Sequence, residues 1–325
     1  MTASIIRRLI QAIMVMVAMT VIVFMAVNVI GDPVHILVSP DADQAERARV
    51  VQELGLDRPL WEQYLHFVRG ALEGNLGKSY VYNESALKVI VQRLPATLEL
   101  AVCAMLFAVL IGIPLGLYAG LRPHGIMSRI IMTVSILGFS LPTFWIGMVL
   151  IMVFAVELGW LPSGGRGDTA AFLGVRWAFM TRDGLHHLML PAFNLALFNA
   201  SLVLRLTRAG VAEILPLDFI KFARAKGLTE GRVIGVHVLK NIMIPVVTVV
   251  GLEFGSTVAF SVVTESIFGW PGMGKLIIDS INVLDRPIIT AYLMIIVVFF
   301  VMINLLVDLI YTALDPRVRL QGQEP

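Results

Sequence analysis

The sequence predicts an all-α integral membrane protein with six membrane-spanning helices and both termini on the cytoplasmic side. Three observations lead to this. Of 325 residues, 58% are hydrophobic and 15% charged, against an apolar share of roughly 45–50% in a soluble domain, and the mean hydropathy is +0.84. Six apolar runs, 9–30, 98–121, 130–156, 188–204, 242–263 and 288–314, approach or exceed the roughly 20 residues that take a helix across about 30 Å of hydrocarbon. Lys and Arg are unevenly shared between the loops: with the N-terminus inside, that face has thirteen against five acids, and the opposite face has twelve against fifteen. Cytoplasmic loops hold such an excess. Helices, not barrel strands, are the spanning form, because each run satisfies its own backbone polar groups and no short alternating segments occur.

Residues 1–31 form the first span. Its apolar core, behind Arg7 and Arg8, is too long for a signal peptide and no small-x-small cleavage site follows, so it is read as retained. Residues 32–94 are an external polar loop. Within it Leu60, Trp61, Tyr64, Leu65 and Val68 recur at helical spacing, with Pro59 as an early helix residue and Gly70 as the stop. That apolar face suits the bilayer surface or a docked external subunit, and spacing leaves both open. Gly77, Lys78 and Ser79 look like the end of a phosphate-cradling loop, but position 72, where that pattern requires glycine, is Leu72, and no apolar strand run precedes it. No nucleotide site is recognisable, so ATP-driven work would come from a partner.

Residues 95–315 hold the remaining spans. Gly112, Gly116 and Gly120 lie one helical turn apart in the second span, with Pro114 among them; such a stripe lets helix backbones approach closely in lipid, and packing is its expected role. Pro142 in the third span and Pro191 at the start of the fourth free backbone groups that neighbours or water must satisfy. The polar residues inside the spans are Glu99, Asn194, Asn199, Glu253, Asn304 and Asp308. Ionisable groups within a membrane are costly and usually face a cavity or the bundle interior. Glu99 and Asp308 lie near span ends, within reach of the interface. Glu253, between Gly251 and Gly255, is deeper and either lines a path or pairs with a neighbouring span; Asn194 and Asn199 join it as candidate path residues. The external loop before the last span is expected to run from Glu265 to Pro287; in it Trp270, Pro271, Gly272 and Gly274 predict a tight turn with an interfacial aromatic, and 273–284 a short surface helix.

Several function classes are excluded. A net charge of +2 argues against nucleic acid as a partner. Cys103 is the sole cysteine, so the chain has no internal disulfide and no cysteine-based metal site. His186 and His187 lack metal-ligand spacing and read as a membrane interface. No acid/base pair or nucleophile constellation is present, so no covalent chemistry, metal or cofactor is expected.

The most informative stretch is DFIKFARAKGLTEGRVIGVHVLKNIMIP, positions 218–245, which begins in the cytoplasmic loop 213–240 and runs on into the next span. Phe219, Ile220, Phe222 and Ala223 offer an apolar face while Lys221, Arg224 and Lys226 project elsewhere. Gly227 supplies a helix stop, because glycine takes the left-handed conformation without Cβ strain. Thr229 is placed to cap a second short helix through Val233, Val236 and Leu239. The product is a helix-break-helix knob below the membrane. Basic amphipathic helices of this kind either lie on anionic lipid or seat in a protein, and charge does not separate the two.

The order of residues does. TRAGVAEILPLDFIKFARAKGL, HVLKNIMIPVVTVVGLEFG, TESIFGWPGMGKLI and NLLVDLIYTALDPRVR, with LGLDRPLWEQYLHFVRGALEGNLGKSY, RLPATLELAVCAM and GIPLGLYAG in the N-terminal half, resemble the permease subunits of binding-protein-dependent ABC importers, in the branch that moves dipeptides, oligopeptides or nickel. The resemblance implies the type I importer core from about position 95, a cytoplasmic tail at 316–325, and a bacterial inner-membrane location. It also implies a coupling helix formed by Asp218, Phe219, Lys221, Phe222, Ala223, Arg224, Ala225, Lys226 and Gly227. Implied partners are a second homologous permease, two ATP-binding subunits and an external solute-binding protein, besides membrane lipid. Lys221, Phe222 and Ala223 stand where the wider importer motif has Glu-Ala-Ala, and Glu253 stands where relatives usually have an uncharged polar residue. A proton- or sodium-coupled secondary transporter is the alternative, with Glu253 as its titratable candidate. No residue selects among dipeptide, oligopeptide, nickel complex and glutathione as the solute.

Overall fold

The computed structural model describes residues 2–29, 43–53 and 57–314, with side chains at all of these except 2–9, 12, 27–29, 47, 53 and 308–314. The start of the external loop, the side chain of Asp308 and the 316–325 tail lie outside the described residues.

The chain is helical nearly throughout: α1 (Thr2–Val29), α2 (Gln44–Glu53), α3 (Leu60–Leu72), α4 (Ala86–Leu121), α5 (Ile126–Ser140), α6 (Thr143–Glu157), α7 (Arg182–Ile214), α8 (Asp218–Ala225), α9 (Glu230–Ile267), α10 (Met273–Asn282) and α11 (Arg286–Leu314). A two-stranded antiparallel hairpin, β1 (Ala170–Phe172) and β2 (Val175–Trp177), lies between α6 and α7. Among the described residues α4, α7, α9 and α11 are long and apolar enough to cross a membrane, the bent pair α5 and α6 makes a fifth span, and α1 has a shorter apolar stretch at Ile13–Ala26. This is compatible with six spans. Two compact units divide the chain, one of Met1–Ala96 with Pro271–Val301, the other of Thr97–Trp270 with Met302–Pro325.

In the first unit α3 rests on α1. Phe24 meets the Tyr64 ring edge-on at 5.4 Å and Phe67 at 5.9 Å, and the Tyr64 and Thr20 hydroxyls are 2.8 Å apart. Leu60, Trp61 and Leu65 are left exposed. The helix stops at Gly74 (φ 74°), not at Gly70. Gly70 is instead a close-approach position, because a Cβ there would stand 2.8 Å from the Asn75 carbonyl as the chain turns back over it. The Gly77–Lys78–Ser79 stretch binds a carboxylate of this same chain. Ser79 donates its hydroxyl to the buried Asp285, which also accepts the Tyr80 N–H at 3.2 Å. Burial pushes the Tyr80 phenol up, Arg286 opposing and Asp285 adding. Helix α10 was expected on the surface, yet Met273, Leu276, Ile277 and Ser280 are buried, so one side of it is covered by protein.

In the second unit α4, α5 and α9 all pack on α7. The glycine stripe is the α4–α7 seam: a Cβ at Gly116 would stand 2.5 Å from the Leu204 carbonyl, and one at Gly120 2.6 Å from Val211. The third apolar run is not the single helix that its hydropathy predicts. Helices α5 and α6 meet at 109°. Pro142 lacks an N–H and disfavours helical geometry in the residue before it; Leu141 is extended (ψ 140°) and Pro142 becomes the residue that starts α6. The end of α6 widens to π-helical hydrogen bonding over Ile151–Glu157.

Three further expectations are corrected here. Glu99 does not reach an interface; its side chain is 0% exposed and is held by Arg166 at 2.7 Å and by the Phe179 N–H at 2.8 Å. Trp270 is not interfacial but fully buried, with the Arg166 guanidinium 5.8 Å from its ring centre. Glu265, expected at the start of a loop, ends α9 inside the unit, where its carboxylate accepts from Thr97 at 2.7 Å and Ser261 at 3.0 Å. In each case a polar or aromatic group near a span end finds a partner in the protein, which removes the need for water.

Candidate functional site

Helix α7 positions the cytoplasmic knob. Its 33 residues measure roughly 50 Å at 1.5 Å per residue, more than the hydrocarbon thickness requires, so its last turns project beyond the apolar run. A short turn then leads into α8. The expected apolar face of α8 is divided between two sides. Ile220 and Ala223 are buried in a cluster with Val203, Val211, Val233, Val238, Ile242 and Val246, which belong to α7 and α9. Phe219 and Phe222 face away and are 43% and 61% exposed. Ala223 is therefore a root of the knob and not part of its outer surface.

Charged residues brace the short helix. Lys221 bridges to Asp218 at 2.9 Å, and the Lys226 ammonium stands 4.5 Å from the centre of the Phe222 ring. Arg224 pairs through two nitrogens with Glu230 at 2.8 and 3.2 Å; that hydrogen bond raises the Arg224 pKa. Ala225 is exposed. Gly227 has φ 76° and nothing within 4 Å of an added Cβ, so glycine is required there for backbone conformation and not for space. Thr229 occupies the cap position, but with its carbonyl, which accepts from Arg232 and Val233 at 2.9 and 3.0 Å, while its hydroxyl makes no cap bond. The expected second short helix is the start of α9 itself, passing through a π-helical stretch at Val233–Val238. The knob is thus one eight-residue helix and a glycine turn, continuous with spans on both sides.

A cavity of about 240 Å³ opens beside α7 and α9, lined by Thr143, Leu195, Phe198, Asn199, Glu253, Ser256, Thr257, Phe260, Val263 and Thr264. It brings Asn199 and Glu253 together. Asn194 does not line it, but donates to the lining residue Thr264 at 3.1 Å. Asn199 donates to Thr257 at 2.8 Å. Among the described residues the Glu253 carboxylate has no hydrogen-bond or ion-pair partner. Ser256, Thr257 and Phe260 were not singled out from the sequence. Their signal is present nonetheless, since 253, 256, 257, 260 and 264 fall on one face of a helix at its natural spacing.

Residues 112–320 match the family described as "Binding-protein-dependent transport system inner membrane component", and residues 1–101 its N-terminal companion, "Binding-prot-dependent transport system membrane comp, N-term". The chain belongs to this family. The permease is 39% identical to the dipeptide transport system permease protein DppB of Escherichia coli K12, covering 98% of this chain and 99% of that one. It is 38% identical to the di/tripeptide permease DppB of Pseudomonas aeruginosa UCBPP-PA14, at 99% and 100% coverage. It is also 38% identical to the glutathione permease GsiC of Escherichia coli CFT073, at 97% and 98% coverage. Among solved structures, the inward-facing methionine ABC transporter MetNI superposes with a TM-score of 0.53 at 18% identity, over 70% of this chain and 97% of that one; this likeness shows the fold. The permease is therefore a multi-pass inner-membrane subunit of an ABC importer, working with ATP-binding and solute-binding partners. ATP hydrolysis belongs to the ATP-binding partners. The secondary-transporter alternative falls with the family assignment.

Proposed function

We propose that the permease moves peptides or a closely related small solute inward by alternating access, beside a second homologous permease and driven by two ATP-binding subunits, one of which seats on residues 218–227. Peptide transport is supported by the relatives, whose names specify dipeptides, di/tripeptides and glutathione. The single observation that carries the coupling reading is the division of α8, with Ile220 and Ala223 rooted in the bundle and Phe219 and Phe222 presented outward. Exposed aromatics on a rigid base are what a partner's groove grips, and the base transmits a push into α7 and α9. Lys221, Arg224, Ala225 and Lys226 would border that contact, Asp218 and Gly227 would end it. Closure of the partners on ATP would shift the bundle between two states by their differential contacts. Asn194, Asn199 and Glu253 would lie along the solute path.

In the reconstituted complex, Phe222→Asp or Gly227→Val should reduce solute uptake at least about tenfold, the loss that one contact of about 1.4 kcal/mol represents. Gly227→Asn should retain uptake, since asparagine tolerates the left-handed region. Unchanged uptake by Phe222→Asp at equal membrane abundance would remove the coupling role.

A further inference from the structure

The cavity between α7 and α9 is furnished with hydrogen-bond acceptors that no donor among the described residues meets. The Thr257 hydroxyl donates to the Glu253 backbone carbonyl at 2.7 Å. Its one proton is thereby used, so its oxygen must accept from the Asn199 amide nitrogen, 2.8 Å away. That fixes the amide: Nδ2 points at Thr257, and Oδ1 is left without a partner among the described residues although Asn199 is only 4% exposed. In the same lining stands Glu253, whose carboxylate has no hydrogen-bond or ion-pair partner among the described residues. A buried acceptor left unmet costs free energy, and an intramembrane carboxylate costs more. A ligand rich in donors would relieve both.

The chemistry of that ligand follows from what surrounds the acceptors. Glu253 is the one carboxylate and Asn199 the one amide in the lining; its other side-chain oxygens, on Thr143, Ser256, Thr257 and Thr264, are hydroxyls, not the carboxylate and carbonyl oxygens from which calcium sites are built. A primary ammonium needs fewer of these, having three donors on a single nitrogen. Phe198 and Phe260 in the lining add aromatic faces that attract an organic cation.

We propose that Glu253 and Asn199 form a transit subsite for a protonated primary amine, the α-ammonium group of a peptide, in the cavity between α7 and α9. The proposal rests on the peptide reading above for the source of the amine, but its geometry stands on the cavity alone. Glu253 supplies charge and Asn199 an oriented carbonyl, with Thr257 holding Asn199 in place. The rest of the lining, the hydroxyls of Thr143, Ser256 and Thr264 and the apolar Leu195 and Val263, carries no charge, so the subsite would recognise the ammonium that peptides share rather than a charged side chain.

The test uses the permease assembled with its partner permease and ATP-binding subunits in lipid nanodiscs, without the binding protein. With Cys103→Ala as background, Ser256→Cys serves as reporter, and Val263→Cys repeats the measurement should the first disturb the cavity. Labelling by neutral methyl methanethiosulfonate is followed with trialanine or N-acetyl-trialanine present. Trialanine should slow labelling at concentrations where the acetylated peptide does not, and Glu253→Gln should raise the trialanine concentration needed about tenfold, the value of one charge-assisted hydrogen bond. Glu253→Asp should retain part of the protection. Equal protection by both peptides, protection by neither, or full protection in Glu253→Gln would overturn the subsite. Loss of the assembled complex in Glu253→Gln would also overturn it, assigning the carboxylate to pairing with a neighbouring subunit. Uptake of trialanine by the complete system is measured separately: its absence in the unmodified permease refutes the peptide reading while leaving the amine selectivity of labelling to stand or fall by itself.

Discussion

Replacing Arg166 with alanine should destabilise the folded permease by about 3–5 kcal/mol, the cost of leaving a buried carboxylate without its cation. Glu99 is 0% exposed at its side chain and Arg166 15%. The guanidinium gives Glu99 two hydrogen bonds, at 2.7 and 3.1 Å, and a third at 2.8 Å to the Arg176 carbonyl on β2. Its face lies against the fully buried Trp270. After the substitution the Phe179 N–H would be the remaining donor to Glu99, and the hairpin would lose its tie to α4. Removing both charges should be milder, because a neutral pair of similar volume asks for no compensation. Thermal unfolding of the purified complex should therefore rank Arg166→Ala below Glu99→Gln with Arg166→Met, and both below the unmodified chain. An additive loss in the double variant would show that Glu99 and Arg166 are not energetically coupled.

The second large effect is expected at Gly116. A Cβ there would stand 2.5 Å from the Leu204 carbonyl and 2.8 Å from the Thr207 Cβ, and at Gly112 and Gly120 on either side a Cβ would come within 2.9 and 2.6 Å of α7. The obstacle at Gly116 is backbone, which no rotamer change removes. Gly116→Leu should force α4 and α7 apart, at about 1–3 kcal/mol or more, and the monodisperse peak of the solubilised complex should be lost. Gly231→Leu is the control, since nothing lies within 4 Å of an added Cβ there. Comparable losses from the two substitutions would mean that close packing is not what Gly116 provides.

How far the sequence reveals the fold depends on the range of the interaction. Spans are legible because length and hydropathy act locally, and the Gly112, Gly116 and Gly120 stripe is legible because its spacing is that of one helix face. The break at Pro142 is not, since a proline inside a span bends or ends it according to which neighbours satisfy the freed groups. Glu99 and Trp270 were misread for one reason: each lies near the end of an apolar run, where an interface is the local expectation, and Arg166, 67 residues from Glu99, supplies a partner that no periodicity announces. In α8 the pattern at 219, 220, 222 and 223 marks four apolar residues but not which pair the bundle covers. That division, which separates the root from the outer surface, required the packing of α7 and α9. Glu253 and Asn199 were legible as candidates one at a time; their sharing a cavity was not.

The central claim is that the Phe219 and Phe222 side of α8 is the seat of an ATP-binding subunit. Maleimide labelling of Phe222→Cys in the Cys103→Ala background tests it most directly, comparing inner-membrane vesicles with and without the ATP-binding subunits. Phe222 is 61% exposed in the isolated chain, so labelling should be rapid without those subunits and slowed at least about tenfold with them, as for a residue buried at the centre of an interface. Labelling at the same rate in both would place the seat elsewhere and contradict the account.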